Sequence, residues 1–309
     1  MPQGSIHVSK PLTNVSVLYK NEEYIANEAL PDVMVEKESD LYYVYNNDFR
    51  VEQTARANGS PANHATYDVS TSSYVLSEHA LKDKITMRDK ANVDAPMKLE
   101  IDTTEYLTDK IMLRQEALAH QLLFTTTSFG FNATLDTASS WVDNTTTSAP
   151  IQNVLSATSL ILSRTGGRAN VMITNQAVLD GLKENVNVYG RIQYVERAIM
   201  TKELLASVFD LDKILVGTAA FNQGKEGATV SMTTVWGSDA LVAKIDPSPG
   251  IKTKTMGATL RQSISGKPYS VRKWFDDEIN ADWIEVSSIY SPRVIASQSA
   301  YLFKTAALI

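Results

Sequence analysis

The chain has 309 residues, a formal net charge of −6 and no cysteine. This length allows one large domain or two ordinary ones, and the lack of cysteine excludes disulfides, thiolate metal sites and cysteine nucleophiles. The negative net charge does not indicate nucleic-acid binding, because domains that bind nucleic acid are usually basic. No secretory signal is visible at the N-terminus, and no apolar run approaches the roughly 18 residues of a membrane span, so we predict no membrane association.

The front third of the chain lacks the apolar periodicity of a core of its own. Residues 1–38 have scattered apolar positions and are predicted to form an arm. Residues 41–51 and 65–76 are rich in aromatic and β-branched side chains, which favours strands, and the turn signal Asn58-Gly59 lies between them. This pattern predicts a long hairpin. Because an isolated two-stranded hairpin is marginal in water, we expect it to lie on a neighbouring subunit.

The longest predicted helix follows a mixed-charge link over 79–100, which we expect to be irregular or helical. The helix is predicted from Asp102 to about Thr127, because apolar residues recur on one face: Leu107, Ile111, Leu118 and Leu122. Asp102 would cap its N-terminus and Glu105 would complete a capping box. At 1.5 Å per residue this helix extends about 39 Å, which is the span of a whole domain.

The second half of the chain alternates short apolar runs with helical patterns. Helices are predicted at 151–164, after Pro150, in a segment capped by Asn175 and at about 201–209, with buried strands at 171–174 and 214–216. This rhythm predicts an α/β lobe. From residue 228 onward the composition is mainly that of strands, and the acidic segment 276–282 is predicted to be a hairpin tip.

Motifs that carry chemistry are missing from the sequence. There is no dinucleotide or phosphate-binding glycine loop, no HExxH and no GxSxG. Glu116 and His120 lie one helical turn apart and could share a proton or a metal, but we prefer a surface ion pair. A carboxylate cluster near the acidic turn could bind a divalent cation, but a solvated tip is preferred: Asp276, Asp277, Glu278, Asp282 and Glu285. We therefore predict no enzymatic activity, no cofactor and no catalytic or metal site.

Charged residues in the front third suggest a contact between subunits. Basic side chains concentrate around the predicted hairpin and its return, and three interpretations remain open: a plain solvated face, a nucleic-acid surface with interleaved tyrosines, and contact with acidic residues on the long helix of an adjacent copy. The net-acidic composition favours the last over nucleic acid. The candidate contact residues are Arg50, Arg56, Lys82, Arg88, Glu105, Asp109 and Glu116.

The order of these elements resembles the major capsid proteins of tailed bacteriophages, whose fold is shared with encapsulin nanocompartments and herpesvirus capsid floors. The stretch Tyr74–Leu123, YVLSEHALKDKITMRDKANVDAPMKLEIDTTEYLTDKIMLRQEALAHQLL, looks most like them, and VMITNQAVLDGLKEN (171–185) with KILVG (213–217) resembles the first part of the axial lobe. The resemblance implies an α+β fold with these parts: arm 1–38, extended β-hairpin loop 39–92, peripheral domain 93–165 and 252–309 with spine helix 102–127, and axial α/β domain 166–251.

The resemblance also implies a function. The chain would be a major capsid protein that self-assembles, as hexamers and pentamers, into an icosahedral shell around double-stranded phage DNA without sequence-specific binding. It would be assembled in the host cytoplasm and found in the virion, with a separate scaffolding protein, a portal and a possible decoration protein as partners. Two alternatives remain: an encapsulin-like compartment shell, and a metal-dependent hydrolase that uses Glu116 and His120 or the acidic cluster at 276–285.

Overall fold

Strands and helices alternate along most of the chain in a mixed α and β fold. The computed structural model describes residues 24–46, 51–65, 68–92, 98–143, 145, 147–192, 200–225, 227, 229, 231–250, 252–263 and 266–307. Most of the predicted arm, 1–23, and the candidate contact residue Arg50 lie outside the described residues.

The described helices and strands have the following bounds. The helices are α1 Ala26–Ala29, α2 Met87–Asn92, α3 Leu99–Leu123, α4 Pro150–Thr165, α5 Gln176–Glu184, α6 Val186–Ile192 and α7 Lys202–Val208. The strands are β1 Asp32–Val35, β2 Ser39–Asn46, β3 Asp68–Val75, β4 Ser77–Thr86, β5 Asn132–Thr134, β6 Val171–Asn175, β7 Lys213–Gly217, β8 Ala220–Asn222, β9 Met232–Thr234, β10 Ala240–Ala243, β11 Gly257–Gln262, β12 Ser270–Asp276, β13 Ala281–Val294 and β14 Ala300–Lys304.

The first five-stranded sheet is built around β13 and carries the long helix α3. Its order is β1-β11-β13-β12, and β4 also pairs with β13. All of these pairs are antiparallel except β1 with β11, which is parallel. Helix α3 packs on this sheet through Leu107 and Ile111, which meet Ile284 and Val286 in one buried cluster. The helix therefore lies along the sheet as a spine.

The second five-stranded sheet has the order β5-β14-β10-β6-β7 and is covered on both faces. Met172 and Val242 of its strands face one cluster with helices α4 to α7, whereas Ile173 and Leu241 face another with the end of α3 and with Trp236. Burial on both faces explains why all five residues of β6 are buried and why its first three, Val171, Met172 and Ile173, are apolar without a polar alternation.

Several local predictions are confirmed. Helix α4 begins at Pro150 and ends at Thr165, and its C-cap is Gly166, whose φ of 61° suits glycine. The Asn175 side chain caps α5 by accepting a 2.9 Å hydrogen bond from the Val178 backbone N–H. Strands β2 and β3 pair in antiparallel register, as the hairpin prediction required.

Three predictions about elements differ in part from the structure. The spine helix runs from Leu99 to Leu123 instead of 102–127, and it begins after Lys98 without a side-chain cap, so Asp102 lies inside the first turn. The link at 79–100, expected to be irregular or helical, does contain the short helix α2, but most of strand β4 also lies in it. The last strand, β14, was expected to join the peripheral sheet with the rest of 252–309, but it pairs with β10 in the second sheet.

Candidate assembly surface

The β2–β3 hairpin has one buried and one exposed face. Residues opposite each other in an antiparallel pair share a face, and successive residues alternate between faces. Tyr42 and Tyr74 face inward and join a small cluster with Leu260. The opposite face, which we call the outer face, carries Leu41, Tyr43, Val69 and Val75, and Leu41 and Tyr43 are 61% and 69% exposed.

The chain continues beyond these strands as an exposed polar segment. All residues from 51 to 65 are exposed, including Val51 at 95%. This segment contains Arg56 and His64 and has no strand in its described structure. A contiguous exposed apolar face next to an extended segment is a common mark of a protein–protein contact. The outer face and residues 51–65 together form the candidate assembly surface.

A second exposed apolar region lies at the β12–β13 turn. Trp274, Phe275 and Ile279 are exposed there, and the Lys82 ammonium lies 4.5 Å from the ring centroid of Trp283. This is a cation–π arrangement, so the candidate contact residue Lys82 already packs on its own chain. The hairpin predicted at 276–282 is confirmed, because Asp276 and Ala281 are the last paired residues on either side of the turn.

The solvated tip expected for the carboxylate cluster is found only in part: Asp277 and Glu278 are exposed, whereas Asp282 and Glu285 are engaged in ion pairs. Asp282 is nearly buried and pairs with Lys90 and, at 3.3 Å, with Lys273. Glu285 pairs with Arg272. Burial opposes ionisation of Asp282, but hydrogen bonds from the two lysines outweigh it and lower the pKa of this carboxyl below its usual value.

Glu116 faces the interior, which contradicts its prediction as a subunit contact. Its carboxylate accepts hydrogen bonds from the backbone N–H groups of Ile25 and Ala26, at 3.0 and 2.9 Å, and from the indole N–H of Trp236 at 2.5 Å. Burial raises the pKa of the Glu116 carboxyl, and these donors oppose the rise. The side chain is fully buried, so it is unavailable to a neighbouring copy.

Two further groups on the spine helix also bind the segment that precedes β1. Asp109, another predicted contact residue, accepts a 2.8 Å hydrogen bond from the Tyr24 hydroxyl. Gln115 donates to Asn27 at 2.7 Å and accepts from the buried Arg261 guanidinium at 3.0 Å. The acidic and amide groups of the helix therefore hold the described end of the predicted arm.

Arg261 connects four elements through its fully buried guanidinium. It donates to Asp32 of β1 at 3.1 Å, to Ser288 of β13 at 2.6 Å and to Gln115 of α3. A buried charge is tolerated where it is paired and fully hydrogen-bonded. No sequence motif singles out this residue, because Asp32, Gln115 and Ser288 are far from it along the chain.

The remaining predicted contact residues are accessible. Arg56 and Arg88 are exposed, and Glu105 is half-buried on the spine helix. Their role between copies stays a prediction.

The Glu116–His120 pair is not a surface ion pair, which corrects that expectation. The His120 ring is half-buried and stacks on Phe124 with centroids 5.1 Å apart, and burial lowers the pKa of His120. Within the described parts of the chain, no three His, Asp or Glu side chains come close enough to hold a metal ion. None of the helices found in those parts is both long and apolar enough to cross a membrane.

Two curated relatives resemble the chain in sequence. The major capsid protein of Burkholderia phage BcepMu is 25% identical over 302 residues, which cover 96% of this chain and 95% of that protein. The major capsid protein of Pseudomonas phage JBD67 is 23% identical over 246 residues, which cover 78% of each. No family model matches the sequence.

Solved structures share the fold along nearly the whole chain. A phage-related protein from Bordetella bronchiseptica RB50 has a TM-score of 0.77 at 20% identity, covering 99% of this chain and 100% of that one. The mature capsid of bacteriophage PhiM1 gives 0.58 at 10% identity, covering 98% and 90%. The SrpI encapsulin of Synechococcus elongatus gives 0.54 at 14% identity, covering 93% and 90%.

The predicted resemblance and fold class are thus confirmed: the chain is a homologue of phage major capsid proteins and has the capsid fold that these proteins share with encapsulins.

Proposed function

We propose that this protein is the major capsid protein of a tailed phage, whose copies assemble into an icosahedral shell around double-stranded DNA. The observation that carries the proposal is the apolar outer face of the β2–β3 hairpin, exposed on a chain that is related to phage capsid proteins along almost its whole length. The encapsulin alternative shares the fold, but the curated sequence relatives are phage capsid proteins. For the hydrolase alternative, the described residues contain no group of three His, Asp or Glu side chains that could hold a metal ion, and its Glu116 is buried and binds the Ile25 and Trp236 N–H groups.

The physical case for assembly rests on surface that the subunit cannot cover by itself. Removing apolar surface from water stabilises an association by roughly 25 cal/mol per Å². Leu41 and Tyr43 of the outer face are 61% and 69% exposed in the described part of the subunit, and an isolated two-stranded hairpin is marginal in water. A second copy that packs against this face would stabilise both the hairpin and the contact.

The repeated contact would be heterologous. A hairpin of one copy would meet a different surface of the next copy, and such contacts close into rings when the rotation allows. Hexamers and pentamers are the rings that we propose, with the extended loop 39–92 between neighbours, the peripheral domain around the spine helix and the axial domain 166–251 towards the ring centres.

Charged contacts would accompany the apolar ones. We keep Arg56, Lys82 and Arg88, with Arg50, as candidates for contact with acidic groups of a neighbour, and we keep Glu105 as a candidate on the spine helix. Asp109 also remains a candidate, although its carboxylate already accepts a hydrogen bond from the Tyr24 hydroxyl of its own chain. Exposed ion pairs contribute about 0–1 kcal/mol each, so these contacts would fix register more than they would supply affinity.

The proposal extends to location and partners. The protein would have no enzymatic activity, would assemble in the host cytoplasm and would reside in the virion. A separate scaffolding protein and a portal would take part in assembly, and a decoration protein is a further possible partner. The DNA would be enclosed without sequence-specific binding, in keeping with a net charge of −6.

The test is a double substitution on the outer face, Leu41→Ser with Tyr43→Ser. We expect the unassembled subunit to unfold at an unchanged urea concentration, because both side chains are exposed, while shells disappear from electron micrographs and sedimentation profiles. Leu162→Ser is the matched control, since Leu162 is also exposed but lies on α4. Wild-type levels of shells from the double variant would refute the role of the outer face.

A further inference from the structure

A groove between the spine helix and the first sheet remains unexplained by the contacts described above. It has a volume of about 640 Å³. Helix α3 supplies Arg114, Leu118 and Leu122 to one wall, and β4 and β13 supply His79, Tyr290 and Arg293 to the other. Ser77, at the start of β4, also lines the groove.

Two buried polar atoms in this groove have no hydrogen-bond partner in the described structure. These are the Tyr290 hydroxyl and the Arg293 Nε. The Tyr290 side chain is fully buried. Buried polar groups are nearly always hydrogen-bonded in folded proteins, so an unsatisfied hydroxyl and an unsatisfied guanidinium N–H among the lining residues indicate that a hydrogen-bond acceptor belongs in the groove.

The charge of the groove specifies the kind of acceptor. Arg114 and Arg293 carry the charged groups of its lining, and none of the lining residues is acidic. The Arg261 guanidinium lies behind Tyr290, 5.0 Å from its ring centroid, although Asp32 pairs with it. Burial, followed by the charges of Arg114 and Arg261, lowers the pKa of His79 at the groove. The field there is positive, and it favours an anion.

We propose that this groove binds a carboxylate side chain from a second copy of the chain. The inference rests on the proposed self-assembly and names one of its contacts. Guanidinium groups bind carboxylates through paired, charge-assisted hydrogen bonds, and the chain has 35 Asp and Glu residues against 29 Lys and Arg residues. A phosphate of the enclosed DNA is the competing anion.

The experiment compares Arg114→Gln and Tyr290→Phe with the matched control Lys110→Gln. Lys110 lies one helical turn from Arg114 and is absent from the groove lining. Urea unfolding of unassembled subunits and the critical subunit concentration for shell formation are measured for each variant. We expect unfolding to be unchanged in all of them, and the critical concentration to rise about tenfold for the two groove variants because a charge-assisted contact is lost. Lys110→Gln should behave as wild type.

The other outcomes are separable. If the groove variants assemble as wild type does, the carboxylate contact is refuted. The same holds if unassembled subunits lose stability to the extent that shells do, because the residues are then only structural. Shells that form normally but retain less DNA would assign the groove to phosphate. A wild-type protein that never forms shells, even with its scaffolding partner, would overturn the proposed function and this contact together. Arg114 is exposed, so Arg114→Gln remains informative if Tyr290→Phe fails to fold.

Discussion

The carboxylate of Glu116 accepts a 2.5 Å hydrogen bond from the indole N–H of Trp236, across 120 residues of sequence. The same carboxylate binds the backbone N–H groups of Ile25 and Ala26. One buried side chain on the spine helix thereby joins the segment before β1 to the turn that precedes β10. The parts of the subunit are therefore held together by buried polar contacts as well as by apolar clusters.

Glu116→Gln should destabilise the subunit by about 1–3 kcal/mol at neutral pH, because an amide cannot accept from all three donors and leaves one of them unsatisfied. The pH dependence should also change. Burial raises the folded-state pKa of Glu116 above its usual 4.5. The contribution of its protonation to the free energy of unfolding is therefore fully present below pH 4.5 and is lost as pH rises through the folded-state pKa.

Urea unfolding of both proteins from acid to neutral pH checks this prediction. The difference in the free energy of unfolding between the wild type and the Gln variant should be largest at acid pH and should shrink as pH rises. The contributions of the other carboxylates cancel in this difference, because both proteins contain them. A deficit that grows with rising pH would mean that the donors outweigh burial and lower the pKa of this carboxyl.

Arg261→Met should destabilise the subunit by about 3–5 kcal/mol, since it leaves the buried partners of the guanidinium unpaired. Arg272→Met is the control on the same sheet. Arg272 pairs with Glu285 in a partly exposed site, where the loss should be about 0–1 kcal/mol. Equal urea midpoints for the two variants would contradict a special role for the Arg261 network.

Gly217→Ala should destabilise the subunit by about 1–3 kcal/mol, because the added Cβ would overlap the Trp236 ring. That ring is fully buried and cannot move aside freely. Gly190→Ala, on helix α6, would meet no atom within 4 Å and should instead stabilise by about 0.5–1 kcal/mol. Thermal unfolding of both variants measures the contrast, and a neutral Gly217→Ala would show that Trp236 can shift.

Ile111→Pro should break the spine helix at a cost of about 3 kcal/mol or more and abolish shells. Ile111→Val keeps the helix and should cost about 0.5–1.5 kcal/mol. Circular dichroism and electron microscopy of the two variants test the prediction. A normal yield of shells from the proline variant would show that assembly does not need an intact α3.

Local signals explain which elements could be predicted from the sequence. Pro150, Gly166 and Asn175 mark the ends of helices through their own backbone or side-chain chemistry, and these boundaries are found in the structure. The alternating residues of β2 and β3 likewise predict their pairing. The capsid-like order of elements follows from these pieces.

The errors arise where tertiary contacts decide. Strand β4 is charged and mostly exposed, as sheet edges often are, so its sequence resembles a polar link until β13 pairs with it. Glu116 looks like a solvent-facing helical residue, because its three donors lie about 90 and 120 residues away. No sequence pattern indicates that the Tyr290 hydroxyl and the Arg293 Nε of the groove lack hydrogen-bond partners in the described structure.

The polar side of the spine helix has a consequence for a particle made of many copies. If α3 slid along its sheet by one turn, about 5.4 Å, Gln115 and Glu116 would leave their fitted donors and acceptors. A purely apolar helix face would tolerate such sliding, but these polar contacts fix the register of α3 on its sheet. Every copy is therefore expected to adopt the same subunit geometry, which a regular lattice of identical subunits requires.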